Sequence, residues 1–187
     1  MYNILKTCTI KNMIKKNTST ITFRIDEDLD EHLRKIAKEQ QISLNILANQ
    51  IFGNYLGLDV YMEKFGVMKM SKKVFKMFLD KTDVHELKLL ALDAGSKEPK
   101  EFILFKWKEI TSENVSMFMK IYCERCGYGH CDLEQSDNKV SMSIRHNFGK
   151  KGSVYIASFL TAVVSSTLNC DSNVIESDES VTISFSH

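Results

Sequence analysis

The chain has 187 residues, 43% of them hydrophobic, with a single Trp and a formal net charge of +1; this length holds two small domains or one medium one and can bury a core. So balanced a charge argues against a uniformly basic protein that coats nucleic acid, and the opening "MYNILKTCTIKNMIKK" interrupts its apolar runs too often to be the h-region of a signal peptide. Five cysteines, an odd number, then point to free thiols in a reducing cytoplasm.

Residues 1–17 read as a flexible basic arm: Lys6, Lys11, Lys15 and Lys16 come before any acid, the first of which is Asp26. In "TSTITFRID" the apolar Ile21, Phe23 and Ile25 alternate with Thr20, Thr22 and Arg24, the period of a strand with one dry and one wet face. No neighbouring strand follows to satisfy its backbone. Asp26 is instead a helix N-cap, and Leu29, Leu33, Ile36 and Ala37 recur at helical spacing to about Glu39. After a break at "QQIS", Ser43 caps a second helix, with Leu44, Leu47, Ala48, Ile51, Phe52 and Tyr55 on one stripe, expected to end near Gly57. A lone strand and two helices cannot close a core, so residues 18–57 are expected to pair with a second copy of themselves, strand against strand.

This order of strand, Asp-capped helix, "ISLN" turn and second helix resembles the ribbon-helix-helix repressors of the Arc/MetJ type. The resemblance implies a homodimer whose two-stranded ribbon enters the major groove of double-stranded DNA. Carried onto this sequence, the base-reading positions fall on Thr20, Thr22 and Arg24, and the phosphate clamp at the start of the second helix falls on Ser43 and Asn45. Arg can fork onto guanine and Thr offers a hydroxyl and a methyl, while a hydroxyl-capped helix N-terminus suits an anion. Lys15 and Lys16, with Lys11, are candidates to lie along phosphates. One departure stands out: the family's usual inter-helix Gly is Gln41 here, which implies a more strained turn.

Residues 58–70 form a connector whose Tyr61, Met62, Phe65, Val67 and Met68 are too apolar for a loose tether. Residues 71–187 are expected to be helical first and then a small α+β domain with an antiparallel sheet. Ser71 is expected to cap a helix with Val74, Phe75, Phe78 and Leu79 inward. Thr82 is expected to cap another with Val84, Leu87, Leu90 and Ala91 inward, stopped by Gly95. "SKEPK" reads as a loop, "FILFKW" as a strand, and Ser112 as the start of a helix closed by Gly127. A hairpin turning at Asp137 and Asn138 places Val140, Met142 and Ile144 on one face, and "SVTISFS" adds a strand with Val181, Ile183 and Phe185 inward. Between them, uncharged Gly152–Cys170 carries six Ser or Thr residues and an Asn, which suits a buried helix better than a bilayer span. Its Ala157, Ser158, Ala162 and Ser165 are expected to pack closely on the sheet.

"YCERCGYGHC" gathers Cys123, Cys126, His130 and Cys131, residue types that could bind zinc. The spacing argues against it, because Cys126 sits on a helical core face and the adjacent His130 and Cys131 would point to opposite sides of a strand. Free cysteines are the preferred reading, ahead of zinc and of redox sensing, and no cofactor is expected. His146, Lys150 and Lys151 beside a helix N-terminus could receive an anion, although a solvated basic turn is favoured. No phosphate-cradling glycine motif, nucleophile elbow or H-E-x-x-H is present, so an enzyme is not expected. The layout resembles ribbon-helix-helix repressors with an added ligand-responsive domain, such as the nickel-responsive type. The expected protein is a transcriptional regulator, a dimer or pair of dimers, whose C-terminal domain senses a small-molecule effector or drives oligomerisation, with no membrane association. The alternative is an antitoxin with the same DNA-binding fold, in which the C-terminal part neutralises a toxin. Such tails are short, however, and 57–187 is patterned to fold by itself.

Overall fold

A computed structural model describes residues 18–136 and 138–186, so Lys6, Lys11, Lys15, Lys16 and Asp137 lie outside the described residues. The chain divides into two compact units, Met1–Gln50 and Ile51–His187. The architecture is mixed α+β, with helices throughout and a four-stranded antiparallel sheet at the C-terminal end.

In the first unit residues 18–26 form neither helix nor strand in the single chain, so the expected strand is not seen there, and Ile21, Phe23 and Ile25 remain 67%, 58% and 47% exposed. Helix α1 spans Glu27–Glu39, with Asp26 at the N-cap position and Glu27, Asp28 and Asp30 in the first turn, where negative charge suits the helix dipole. The chain leaves α1 through a Schellman turn: the Ile42 N–H reaches the Ala37 carbonyl at 3.0 Å and the Gln41 N–H reaches that of Lys38 at 3.1 Å. This geometry requires a left-handed residue, and Gln41 takes it with φ 55°. Helix α2, Leu44–Asn54, starts at Ser43, whose hydroxyl accepts the Ile46 N–H at 3.1 Å.

The helix does not stop at Gly57. It passes into a π-helical turn, Tyr55–Asp59, and then α3, Val60–Lys64. Lys106 donates to the Gly57 carbonyl and lies 4.1 Å from the Tyr61 ring centroid, giving that carbonyl a partner from another helix. Tyr61, Met62 and Phe65 pack against the core of the second unit.

Helix α4, Lys72–Lys81, is capped by the Ser71 hydroxyl as expected, but only Phe75 and Leu79 turn inward; Val74 and Phe78 are exposed. Thr82 ends α4, donating its hydroxyl to the Phe78 carbonyl, and Asp83 caps the next helix by accepting the His85 N–H at 2.7 Å. That helix, α5, buries Leu87 and Ala91 and leaves Val84 and Leu90 exposed. It runs from Val84 to Trp107, so Gly95 does not stop it, "SKEPK" is not a loop and "FILFKW" is not a strand. Two contacts with a later helix explain this. Pro99 has no N–H to offer the Gly95 carbonyl; the Ser166 hydroxyl donates to that oxygen instead, at 3.4 Å. A Cβ on Gly95 would run into the Phe159 carbonyl and stand 2.8 Å from the Ala162 Cβ, so glycine is there for close helix packing.

Helix α6, Ser112–Arg125, has Thr111 as its cap and buries Val115 and Met119. Strands β1, His130–Ser136, and β2, Lys139–Arg145, form the hairpin. Helix α7, Gly149–Leu168, precedes β3, Ser172–Glu176, and β4, Ser180–Ser186, in a sheet of order β1-β2-β4-β3. Pairing sets Val140 opposite Phe185, Met142 opposite Ile183 and Ile144 opposite Val181, all buried. On the other face the Ser143 and Thr182 hydroxyls meet at 2.9 Å. Helix α6 packs on β1 and β2, α7 on β3 and β4, and α5 packs on α7. Helix α7 packs on the sheet as expected, and of its small residues Ala162 meets α5 at Gly95. Among the described residues, no helix is long and apolar enough to cross a membrane.

Candidate functional site

Thr20, Thr22 and Arg24 are exposed, as are Ile21, Phe23 and Ile25 between and beside them in the sequence. Ser43 and Asn45 are exposed at the start of α2. There the first hydrogen bond within the helix runs from the Leu47 N–H to the Ser43 carbonyl, at 3.0 Å. The Leu44 and Asn45 N–H groups therefore have no acceptor within the helix, as at any helix start. Lys15 and Lys16 fall outside the described residues.

The cysteine constellation is split by the fold. Cys123 on α6 and Cys131 on β1 are buried in the core and hydrogen-bond each other; that bond, followed by burial, pushes the Cys123 thiol well above its ordinary range. His130 points to solvent on the opposite strand face, its Nε2 3.4 Å from Asp132. Cys126 ends α6, and burial pushes its thiol up to about 11. Such thiols carry little thiolate at neutral pH. Among the described residues, no three His, Cys, Asp or Glu side chains are grouped to hold a metal ion.

The side chains of the basic turn before α7 have partners within the fold. His146 is buried; its Nε2 donates to the Ser153 hydroxyl at 3.0 Å, while its Nδ1 accepts the Phe148 N–H at 3.2 Å. The ring is satisfied in its neutral form, and burial, helped by Lys76 and opposed by Glu179, lowers its pKa. Lys151 caps the end of α4 through the Asp80 and Thr82 carbonyls, and Lys150 pairs with Glu176 at 3.4 Å.

Sequence reasoning missed a cavity of about 380 Å³ in the second unit. It begins with the end of α6, where Gly127 takes φ 78° and the Tyr128 N–H returns to the Cys123 carbonyl at 2.8 Å. This turn folds Tyr128 back onto Tyr122, rings stacked at 5.8 Å, with Phe75 edge-on to Tyr128 at 5.6 Å and to Phe148 at 5.3 Å. Lys72 crosses Gly127, 3.1 Å from where a Cβ would stand. Lys69, Arg125 and Asp59 complete the polar lining. Burial raises the pKa of Tyr122 and Tyr128, so both phenols stay protonated. The residues of the cavity come from stretches far apart in the sequence, "KMSKK" and "YCERCGYG" among them, so no single stretch announced the site.

No protein-family model matches the chain, and no curated protein matches it.

Proposed function

We propose that the chain is a homodimeric, sequence-specific DNA-binding transcriptional regulator. Its N-terminal part is a ribbon-helix-helix element, and Ile51–His187 is its effector-sensing or oligomerisation unit. One observation carries this reading: a segment with a row of exposed apolar side chains leads directly into two helices joined through a left-handed residue, the second of them capped by Ser43. A second copy, added antiparallel, would supply the missing ladder and cover Ile21 and Ile25 with the exposed Leu29 and Ile36. Thr20, Thr22 and Arg24 would then face the major groove, with the α2 N-terminus, Ser43 and Asn45 at a phosphate and Lys15 and Lys16 along the backbone. The reading accounts for Gln41, which adopts the conformation that the family's usual glycine adopts without strain. The extensive core of the second unit favours a self-folding domain over an antitoxin tail.

The test combines sedimentation with selection of binding sites from a random duplex library. The full chain should sediment as a dimer or a pair of dimers, and Ile21→Asp should yield monomers, because it places a charge in the shared core. Arg24→Ala should keep the dimer and lose about 1–3 kcal/mol of discrimination at one base pair per half-site. A monomeric wild-type chain, or one that enriches no sequence, overturns the proposal.

A further inference from the structure

We propose that the cavity beneath α3 and α4 binds a small planar organic anion, an aromatic carboxylate, which deepens the sensing half of the proposed function and rests on that reading only for its regulatory meaning. The volume of about 380 Å³ falls within the range of small-molecule sites. Its walls are ring faces and edges from Phe75, Tyr122, Tyr128 and Phe148, with Met62 and Met68 adding adaptable apolar surface. That lining suits a flat apolar body.

The polar lining selects the sign of charge. Lys69, Lys72 and Arg125 stand against the single carboxylate of Asp59, and none of the three cations has an ion-pair partner among the described residues. The Tyr128 phenol and the Cys126 thiol, both held protonated by burial, add neutral groups and no negative charge. Arg125 can meet a carboxylate with two parallel hydrogen bonds, and Lys72 can meet it as a point charge. A second feature marks the same place: Asp59 closes the π-helical turn, and π turns inside helices concentrate at functional sites.

The experiment is calorimetric titration of the full chain, free of DNA, with 2-naphthoate and with its neutral analogue 2-naphthamide. Naphthoate should bind saturably, one per chain, at least about tenfold tighter than the amide. The double variant Lys72→Gln, Arg125→Gln should bring naphthoate down to the affinity of the amide. The double control Lys97→Gln, Lys150→Gln, which removes an equal charge from exposed pairs elsewhere, should change nothing. The absence of saturable naphthoate binding up to about 1 mM, equal binding of acid and amide, or full binding by the double variant each overturns the assignment. Operator binding is measured separately, so a chain that binds DNA but not naphthoate loses this site and keeps the proposed function. A chain that binds naphthoate but no DNA keeps the site and loses its regulatory meaning.

Discussion

Ile51–His187 withdraws many large apolar side chains from water: Ile103, Met142, Leu160 and Ile183 sit in one core shared by helices and sheet. Within Met1–Gln50, among the described residues, only Ala37 and Leu47 reach that state, while Ile21, Leu29, Ile36 and Ile46 stay exposed. Both units have hydroxyl-capped helix starts, Ser43 in the first and Ser71 and Thr111 in the second, so local structure does not separate them. The difference lies in what each can bury alone. A short segment with two helices has too few apolar neighbours to close over itself, whereas a helix enclosed between another helix and a sheet does not need a second chain. Stability should accordingly depend on protein concentration in the first unit and not in the second.

The largest expected effect comes from deleting side-chain volume in the self-sufficient unit. Leu160→Ala should cost about 2–5 kcal/mol in urea unfolding followed through the fluorescence of Trp107, with a midpoint unmoved by dilution. A cost under about 1 kcal/mol would show that the α7 core is looser than its burial implies. Dilution that shifted the midpoint would break the contrast between the units.

A smaller effect follows from His146. Its pKa is lowered in the folded unit, so below the ordinary imidazole value of 6.5 the unfolded chain binds more protons than the folded one. The stability contributed by the neutral ring is complete above that value and falls as the pH drops through it toward the lowered folded value. Unfolding midpoints of the wild type and of His146→Gln, measured from pH 7.5 down to about pH 5, should converge on acidification as the wild type alone loses this contribution. Parallel curves would contradict the neutral, doubly hydrogen-bonded ring.

The smallest effect concerns Gln41. Glycine there removes a left-handed penalty of about 1–2 kcal/mol and gives part of it back through the freer unfolded chain, for a net gain of roughly 0.5–1 kcal/mol. Helical circular dichroism of the melting chain should register this gain for Gln41→Gly and none for Gln41→Ala. A loss with glycine would mean that the Gln41 side chain holds the turn by some other contact.

These contrasts also explain what could be read without coordinates. The bounds of α1 and the start of α2 were legible because local signals set them: a helical period, Asp26 at one cap and Ser43 at the other. The hairpin and β4 were legible for the same reason, their alternation being strict. Helix α5 was not, because Gly95 and Pro99 are breakers in any local reading and are reconciled with a helix only by Ala162 and Ser166, far along the chain. The inward residues of α4 and α5 were over-assigned for a related reason. Periodicity marks an apolar stripe, but the width of the stripe that is covered depends on partners it does not show, so Phe78 and Leu90 were expected inside and are outside. The residues proposed to face DNA were accessible only through a pattern spanning the whole N-terminal element. The cavity, whose lining runs from Asp59 to Phe148 across several elements, has no local pattern at all.

The meeting of Gly95 and Pro99 with α7 also sets an order of events in time. During synthesis α5 is complete well before α7 has been made, and alone it contains the two residues least suited to a helix, at costs of about 1 and 3 kcal/mol relative to alanine. The newborn segment therefore has no reason to be one straight helix and is free to break near its middle. Only when α7 arrives, with Ala162 to fit against Gly95 and Ser166 to satisfy its carbonyl, does a continuous α5 become the favourable state. The longest helix of the protein is thus a late product of a long-range encounter, which places the second unit among slower folders than its helical content suggests.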